Sequence, residues 1–135
     1  MATSKRILIV EDDRALRRAC EVGLRKRGYE VVTADNGVDG LERALEGGFD
    51  LILLDMLMPR MSGIDMLRAL RAREEGGPHA PVLILSNSSK VGSRDESDQL
   101  GVAGYMVKAC LSLEMLGTIV AKLTSGMPGQ TGEAA

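Results

Sequence analysis

The chain contains few of the residues that mark several common classes of small protein. Its 135 residues include only two cysteines, Cys20 and Cys110, which excludes a disulfide framework or a cysteine metal cluster. Tryptophan is absent, and there are only two tyrosines and one phenylalanine, so a platform for base stacking is not expected. The sequence has 17 basic and 19 acidic residues, so it lacks the basic excess of a protein that coats nucleic acid.

Long apolar runs are also missing from the sequence. No stretch approaches the roughly 18 apolar residues of a membrane span, and no signal-peptide pattern opens the chain. We therefore expect a cytoplasmic protein. The length suits one ordinary domain, which can bury a core without disulfide or metal support.

Five short apolar runs alternate with segments of helical periodicity. The runs cover residues 7–10, 31–33, 51–54, 82–85 and 105–107, and four of them are continuous, as in strands covered on both faces. Between them, apolar residues recur at intervals of three and four, as at Val38, Leu41, Ala44 and Leu45. This alternation predicts an α/β fold with a doubly wound, five-stranded parallel sheet and five helices.

Two segments depart from this regular pattern. Residues 90–100 lie where a helix should cross from the fourth strand to the fifth, but they contain little apolar surface, so we expect a short, poorly anchored helix. Residues 126–135 are polar and rich in helix breakers, which predicts a flexible tail. The domain itself is therefore expected to cover residues 1–125.

Polar residues follow the apolar runs at the ends where a parallel sheet binds ligands. The acidic residues Glu11 and Asp12 follow the first run, and Asp55 follows the third. Ser86 ends the fourth run and Lys108 follows the fifth. If the first and third strands are neighbours, three carboxylates converge at one edge of the sheet.

Three converging carboxylates would repel one another, and a divalent cation relieves that repulsion. An all-oxygen, carboxylate-rich site suits Mg²⁺, with Glu11 and Asp12 as holders of the metal. Asp55 is the candidate nucleophile, because one carboxylate oxygen can contact a metal while the other attacks phosphorus. Lys108 and the hydroxyl of Ser86 are candidates for stabilising the phosphoryl oxygens.

These motifs, taken in order, resemble the receiver domain of two-component response regulators. The resemblance rests on the acidic opening VEDD at 10–13, the stretch DMLMPRMSG at 55–63, Ser86, and GVAGYMVK at 101–108. It implies a flavodoxin-like fold with strand order 2-1-3-4-5. It also implies a metal site formed by Asp12, Asp55 and the backbone carbonyl of Leu57, with Glu11 reaching the metal through water.

The resemblance further implies a signalling role. Asp55 would accept a phosphoryl group from a phosphohistidine on a sensor histidine kinase or a histidine phosphotransfer protein. Ser86 and Tyr105 match the family's switch pair, although Tyr105 fits equally well as a half-buried packing residue. As a stand-alone domain, it would catalyse only its own phosphorylation and dephosphorylation. It would act on protein partners, without direct nucleic-acid or membrane contact, and phosphorylation-dependent dimerisation stays open.

Two rival functions fit parts of the same pattern. Ala109 follows Lys108 where the family usually has proline, and Asn87 follows Ser86 where a small residue is common, so an interaction module that switches without phosphate is one alternative. A hydrolase of the phosphoaspartate type is the weaker alternative. That class usually has a second aspartate two residues after the nucleophile, where this chain has Leu57.

Overall fold

The computed structural model of the protein describes residues 5–56, 58, 60–73, 80–86, 101–108 and 112–124. Strands and helices alternate along these residues, as the sequence predicts. In chain order the elements are β1 (Arg6–Val10), α1 (Arg14–Lys26), β2 (Glu30–Ala34), α2 (Gly37–Glu46), β3 (Leu51–Asp55), α3 (Gly63–Arg73), β4 (Val82–Ser86), β5 (Gly104–Val107) and α4 (Leu113–Thr124).

The five strands form one parallel sheet in the order β2-β1-β3-β4-β5. This confirms the predicted flavodoxin-like topology. The chain first adds β2 on one side of β1 and then returns to add β3 on the other side. Neighbouring connections therefore leave the carboxyl ends of β1 and β3 in opposite directions, and such a switch point is where open parallel sheets bind ligands.

Two apolar clusters cover the two faces of the sheet. Helices α2 and α3 pack on one face, and α1 and α4 pack on the other. The central strands are buried on both faces, which explains why their sequences are continuously apolar. Cys20 is part of the α1–α4 cluster, and burial raises the pKa of its thiol to about 11. It therefore stays protonated, as expected for a packing residue.

Polar caps define where the first two helices begin. The side chain of Asp13 accepts a hydrogen bond from the backbone amide of Leu16 at 3.1 Å, which caps α1. Asn36 accepts one from the amide of Asp39 at 2.9 Å and caps α2. Both caps satisfy amides that have no partner within the helix. The short link between β1 and α1, which contains Glu11 and Asp12, is thus fixed at its helical end.

One part of the predicted helical pattern is only half correct. Leu41 and Ala44 of α2 are buried, but Val38 and Leu45 are 39% and 38% exposed. Both exposed residues lie in the first or last turn of α2, where a side chain has helix neighbours on one side only. The apolar stripe is therefore wider than the surface that the sheet covers.

The structure describes four of the five predicted helices. The helix expected at 90–100 and the tail expected at 126–135 lie outside the described residues. Among the described helices, none has both the length and the apolar content that a membrane crossing requires.

Candidate functional site

Strand register brings the predicted polar residues to one edge of the sheet. Val10 of β1 pairs with Leu54 of β3, so the residues that follow, Glu11 and Asp55, lie side by side. Asp12 continues from Glu11 into the link that precedes α1. The first and third strands are neighbours, and their acidic ends therefore converge as the sequence predicts.

The next two strands add a hydroxyl and an amine at the same edge. Asp55 pairs with Leu85 of β4, and Ser86 is the next residue. Ser86 in turn pairs with Val107 of β5, which Lys108 follows directly. Each of these four strands thus has a polar side chain just beyond its last apolar one.

The alternation of side chains across the sheet sorts these residues by face. Side chains two positions apart on a strand point to the same face of the sheet. The α1–α4 cluster contains the residues two positions before Glu11, Asp55 and Lys108. Ser86 instead lies two positions after Ile84, which belongs to the cluster under α2 and α3. The acidic residues and the lysine therefore share one face, and the serine begins on the other.

The three carboxylates form a compact group. Glu11, Asp12 and Asp55 each offer one oxygen, and these oxygens all lie within 4.8 Å of one another. Glu11 and Asp55 are buried, whereas Asp12 is exposed at the mouth of the cluster. One side of the group is therefore open to solvent and the other is closed by the core.

Lys108 reaches across β4 to the acidic group. Its Nζ lies 3.0 Å from Asp55 Oδ1 and 3.0 Å from Glu11 Oε1, and it donates a hydrogen bond to Glu11 Oε2 at 3.0 Å. The long, flexible lysine side chain allows the edge strand to place a charge over β3 and β1. One cation thus contacts both buried carboxylates.

Burial dominates the electrostatics of the site. Desolvation raises the pKa of Asp55 to about 7, although the hydrogen bond from Lys108 opposes this shift; contacts with Asp12 and Glu11 raise the pKa further. Burial would lower the pKa of Lys108, but its hydrogen bonds to Glu11 and Asp55 outweigh that effect and raise the pKa. The lysine therefore stays charged, and its single positive charge lies among three carboxyl groups.

The cluster fits a bound divalent cation. Within the described part of the chain, the buried atom Glu11 Oε1 accepts no hydrogen bond, even though Lys108 Nζ is close to it. The three side chains offer only oxygen atoms, which are the ligands that Mg²⁺ prefers, and Asp12 leaves a side open for water. The predicted fourth contributor, the backbone carbonyl of Leu57, lies outside the described residues.

The predicted switch residues have different environments. Ser86 is buried at the carboxyl end of β4, one residue beyond the neighbour of Asp55. Tyr105 is half-buried on β5 and packs against the cluster under α2 and α3. The position of Tyr105 agrees with the role of a half-buried packing residue. The role of Tyr105 as a switch stays a prediction.

Sequence reasoning missed one residue that contacts the site. Arg17 of α1 donates a hydrogen bond from Nη1 to the backbone carbonyl of Glu11 at 2.8 Å. The sequence places Arg17 in a run of basic residues on α1, which is usually a solvated helix face. Its position one turn after the cap Asp13 was the available signal, because the first turn of a helix adjoins the loop that precedes it.

Comparison with known proteins identifies the family. The family model of the response regulator receiver domain matches residues 7–120. The chain belongs to this receiver family. The resemblance seen in the sequence is therefore confirmed. The strand order described above is that of a receiver domain.

Curated relatives of this receiver include the cell cycle transcriptional regulator CtrA of Caulobacter vibrioides. The two are 38% identical over 114 residues, which is 84% of this chain and 48% of CtrA. The transcriptional regulatory protein PrrA of Mycobacterium tuberculosis is 37% identical over 121 residues, 90% of this chain and 51% of PrrA. The receiver thus spans about half the length of the curated relatives it matches.

A solved structure extends the similarity to the fold. The receiver domain of the sensor histidine kinase PA1611 from Pseudomonas aeruginosa superposes with a TM-score of 0.80 at 27% identity, covering 92% of this chain and 100% of that one. That structure has a magnesium ion coordinated in its active site cleft.

Lys108→Ala is expected to slow phosphorylation of this receiver at least 100-fold, because removing one preorganised donor at a site of developing charge typically has an effect of that order. Mg²⁺ should still bind, and at least as tightly, since a neighbouring positive charge has been removed. The initial rate of phosphorylation by a small acyl phosphate, followed by intact mass, measures the first effect, and calorimetry measures the second. Lys26→Ala, an exposed lysine of α1, is the control; equal rates in the two variants would contradict the role of Lys108.

Proposed function

We propose that this receiver is a phosphorylation-controlled signalling switch in which Asp55 accepts the phosphoryl group. The donor would be a phosphohistidine on a sensor histidine kinase or a histidine phosphotransfer protein. The observation that carries the proposal is the contact of Lys108 with both buried carboxylates, Asp55 and Glu11, next to the exposed Asp12. This arrangement combines a nucleophile, a fixed positive charge and a cation site within one cluster.

The chemistry is an in-line displacement at phosphorus. A carboxylate oxygen of Asp55 forms the new bond to phosphorus, and the bond between phosphorus and the donor's imidazole nitrogen breaks. The electron pair of the broken bond returns to that nitrogen. A proton from solvent on the other ring nitrogen makes the leaving group a neutral imidazole. The product is an acyl phosphate on Asp55.

The surrounding residues position the reactants and balance charge. Lys108 is close enough to Asp55 Oδ1 to neutralise phosphoryl oxygens that arrive there. Glu11 holds Lys108 in place from the opposite side of the cluster. Glu11, Asp12 and Asp55 would hold Mg²⁺, which when bound supplies the further positive charge that phosphoryl transfer needs.

The output of the switch would depend on a change at Ser86 and Tyr105. Ser86 is one residue beyond the strand neighbour of Asp55, so its hydroxyl could contact a new phosphoryl group with a small movement. Tyr105 lies on the adjacent edge strand, where a change in its packing would alter the protein surface. The downstream target would be a protein partner, and the receiver would not turn over an external metabolite.

The proposal is tested by the mass of the intact protein after incubation with a small acyl-phosphate donor. With Mg²⁺ we expect an adduct of one phosphoryl group, and with a chelator we expect none. A parallel assay measures release of phosphate from added phosphoesters. No adduct together with no Mg²⁺ binding would contradict the proposal and favour the phosphate-independent module. Rapid turnover of the phosphoesters would contradict it in favour of the hydrolase.

A further inference from the structure

The link between β1 and α1 contains two of the three residues that form the candidate cation site. The backbone amide of Glu11 donates to the carbonyl of Ala34 at 3.1 Å, which fixes the start of the link to β2. The carboxylate of Glu11 accepts from the amide of Asp13 at 3.0 Å and thereby folds back over the link. The exposed Asp12 between them has its position set by the backbone on either side.

Arg17 contacts two backbone carbonyls of this link. Its backbone amide donates to the carbonyl of Asp13 at 2.8 Å within the first turn of α1. Its side chain turns back along the helix, and Nη1 donates to the carbonyl of Glu11 at 2.8 Å. Both ends of Arg17 therefore contact the link, and its side chain is half-buried there.

The side chain of Arg17 also lines a cavity that contains other acidic residues. This cavity, of about 330 Å³, lies at the carboxyl end of β2, and its lining includes Asp35 and Asp39. These two aspartates accept hydrogen bonds from Asn36 Nδ2, at 2.7 and 3.0 Å. The hydrogen bond of Arg17 is directed to the peptide carbonyl beside the cation site instead.

We propose that Arg17 is a positioning residue, which holds the 11–13 link so that Glu11 and Asp12 are preorganised for Mg²⁺. This inference rests on the proposed function, because it takes the acidic cluster to be a Mg²⁺ site. Outer-shell hydrogen bonds of this kind orient metal ligands, and their loss commonly weakens metal binding by about 10- to 100-fold. The residue acts through the backbone of Glu11 and does not itself contact the metal.

The sign of the effect separates this role from a purely electrostatic one. A positive guanidinium near a cation site repels the cation, so removing only its charge should tighten Mg²⁺ binding. Loss of positioning should weaken it. A role confined to stability would lower the melting temperature and leave the affinity of the folded protein for Mg²⁺ unchanged.

The test measures the dissociation constant of Mg²⁺ by calorimetry on the whole chain. Arg17→Ala is compared with wild type and with Arg18→Ala, whose side chain is exposed and pairs with Glu21. We expect Arg17→Ala to bind Mg²⁺ about tenfold more weakly or worse, and Arg18→Ala to match wild type. Arg17→Lys, which keeps the charge and a shorter donor, is expected to fall between them and also serves if the alanine variant does not fold.

Mg²⁺ binding by the folded Arg17 variants that equals or exceeds the wild-type affinity would overturn the positioning role and leave the proposed function intact. Equal weakening by Arg18→Ala would also overturn it, because the effect would then be general to the helix. No Mg²⁺ binding by wild type would overturn the proposed cation site and, with it, this inference.

Discussion

Asp55→Asn is expected to abolish the phosphoryl adduct completely. Asparagine keeps the shape of the side chain at the carboxyl end of β3, but its amide does not supply the carboxylate oxygen that forms an acyl phosphate. The fold should survive, because the substitution removes one negative charge from a buried group that already contains Glu11. Intact mass after treatment with donor and Mg²⁺ measures the adduct, and circular dichroism checks the fold.

Asp65→Asn provides the matched control for this substitution. Asp65 is an exposed aspartate in the first turn of α3, where it pairs with Arg68. The Asp65→Asn substitution removes the same charge outside the carboxylate cluster, and we expect this variant to form as much adduct as wild type. An adduct of wild-type amount on the Asp55→Asn protein would show that another residue is the acceptor.

Among glycine-to-alanine substitutions beside the site, we expect Gly63→Ala to lower the stability of the protein most. A Cβ at Gly63 would overlap the backbone carbonyl oxygen of Asp55 and would lie 2.9 Å from the Cα of Met56. The amide of Gly63 also donates to the carbonyl of Met56 at 3.0 Å, so the start of α3 cannot move away without losing that bond. Because the crowded atoms are backbone, we expect a loss of about 3 kcal/mol or more in the free energy of unfolding.

Denaturant unfolding measures this loss, and Gly23→Ala is the control. Gly23 lies inside α1, and a Cβ there would contact the Leu113 side chain at 3.4 Å, an ordinary packing distance. Alanine favours a helix over glycine by about 1 kcal/mol, so this variant should be neutral or more stable than wild type. If Gly63→Ala unfolded at the same denaturant concentration as wild type, the close approach of α3 to Asp55 would be refuted. We also expect Gly63→Ala to reduce phosphorylation, since it displaces the backbone of the acceptor.

The sequence alone predicts most of the fold because burial leaves a direct pattern. Strands covered on both faces are continuously apolar, and the first two helices end shortly before Gly28 and Gly47, which adopt positive φ angles of 96° and 81°. The strand order came from the family resemblance, and the structure confirms it. The width of the α2 stripe could not be read from periodicity, since periodicity gives the face of a helix but not how far the sheet extends beneath it.

The sequence predicts which residues form the candidate site, but not all of the contacts between them. The rule that ligands bind at the carboxyl ends of parallel strands places Glu11, Asp55 and Lys108 at one edge, and the register confirms that placement. The contact of Lys108 with both carboxylates depends on the reach of one side chain across β4, which spacing does not determine. The contact of Arg17 with the Glu11 carbonyl joins a side chain to a backbone group. The place of Arg17 in the first turn of α1 puts it near that link, but it does not identify the carbonyl as its partner.

The most direct measurement of the central claim is the position of the phosphoryl group within the chain. The protein is treated with the acyl-phosphate donor, with Mg²⁺ or with a chelator, and then reduced with borohydride, which converts an aspartyl phosphate to homoserine. Peptide sequencing by mass spectrometry locates the converted residue. The account predicts conversion at position 55 alone and only in the presence of Mg²⁺. Conversion at another aspartate, or equal conversion with the chelator, would contradict it.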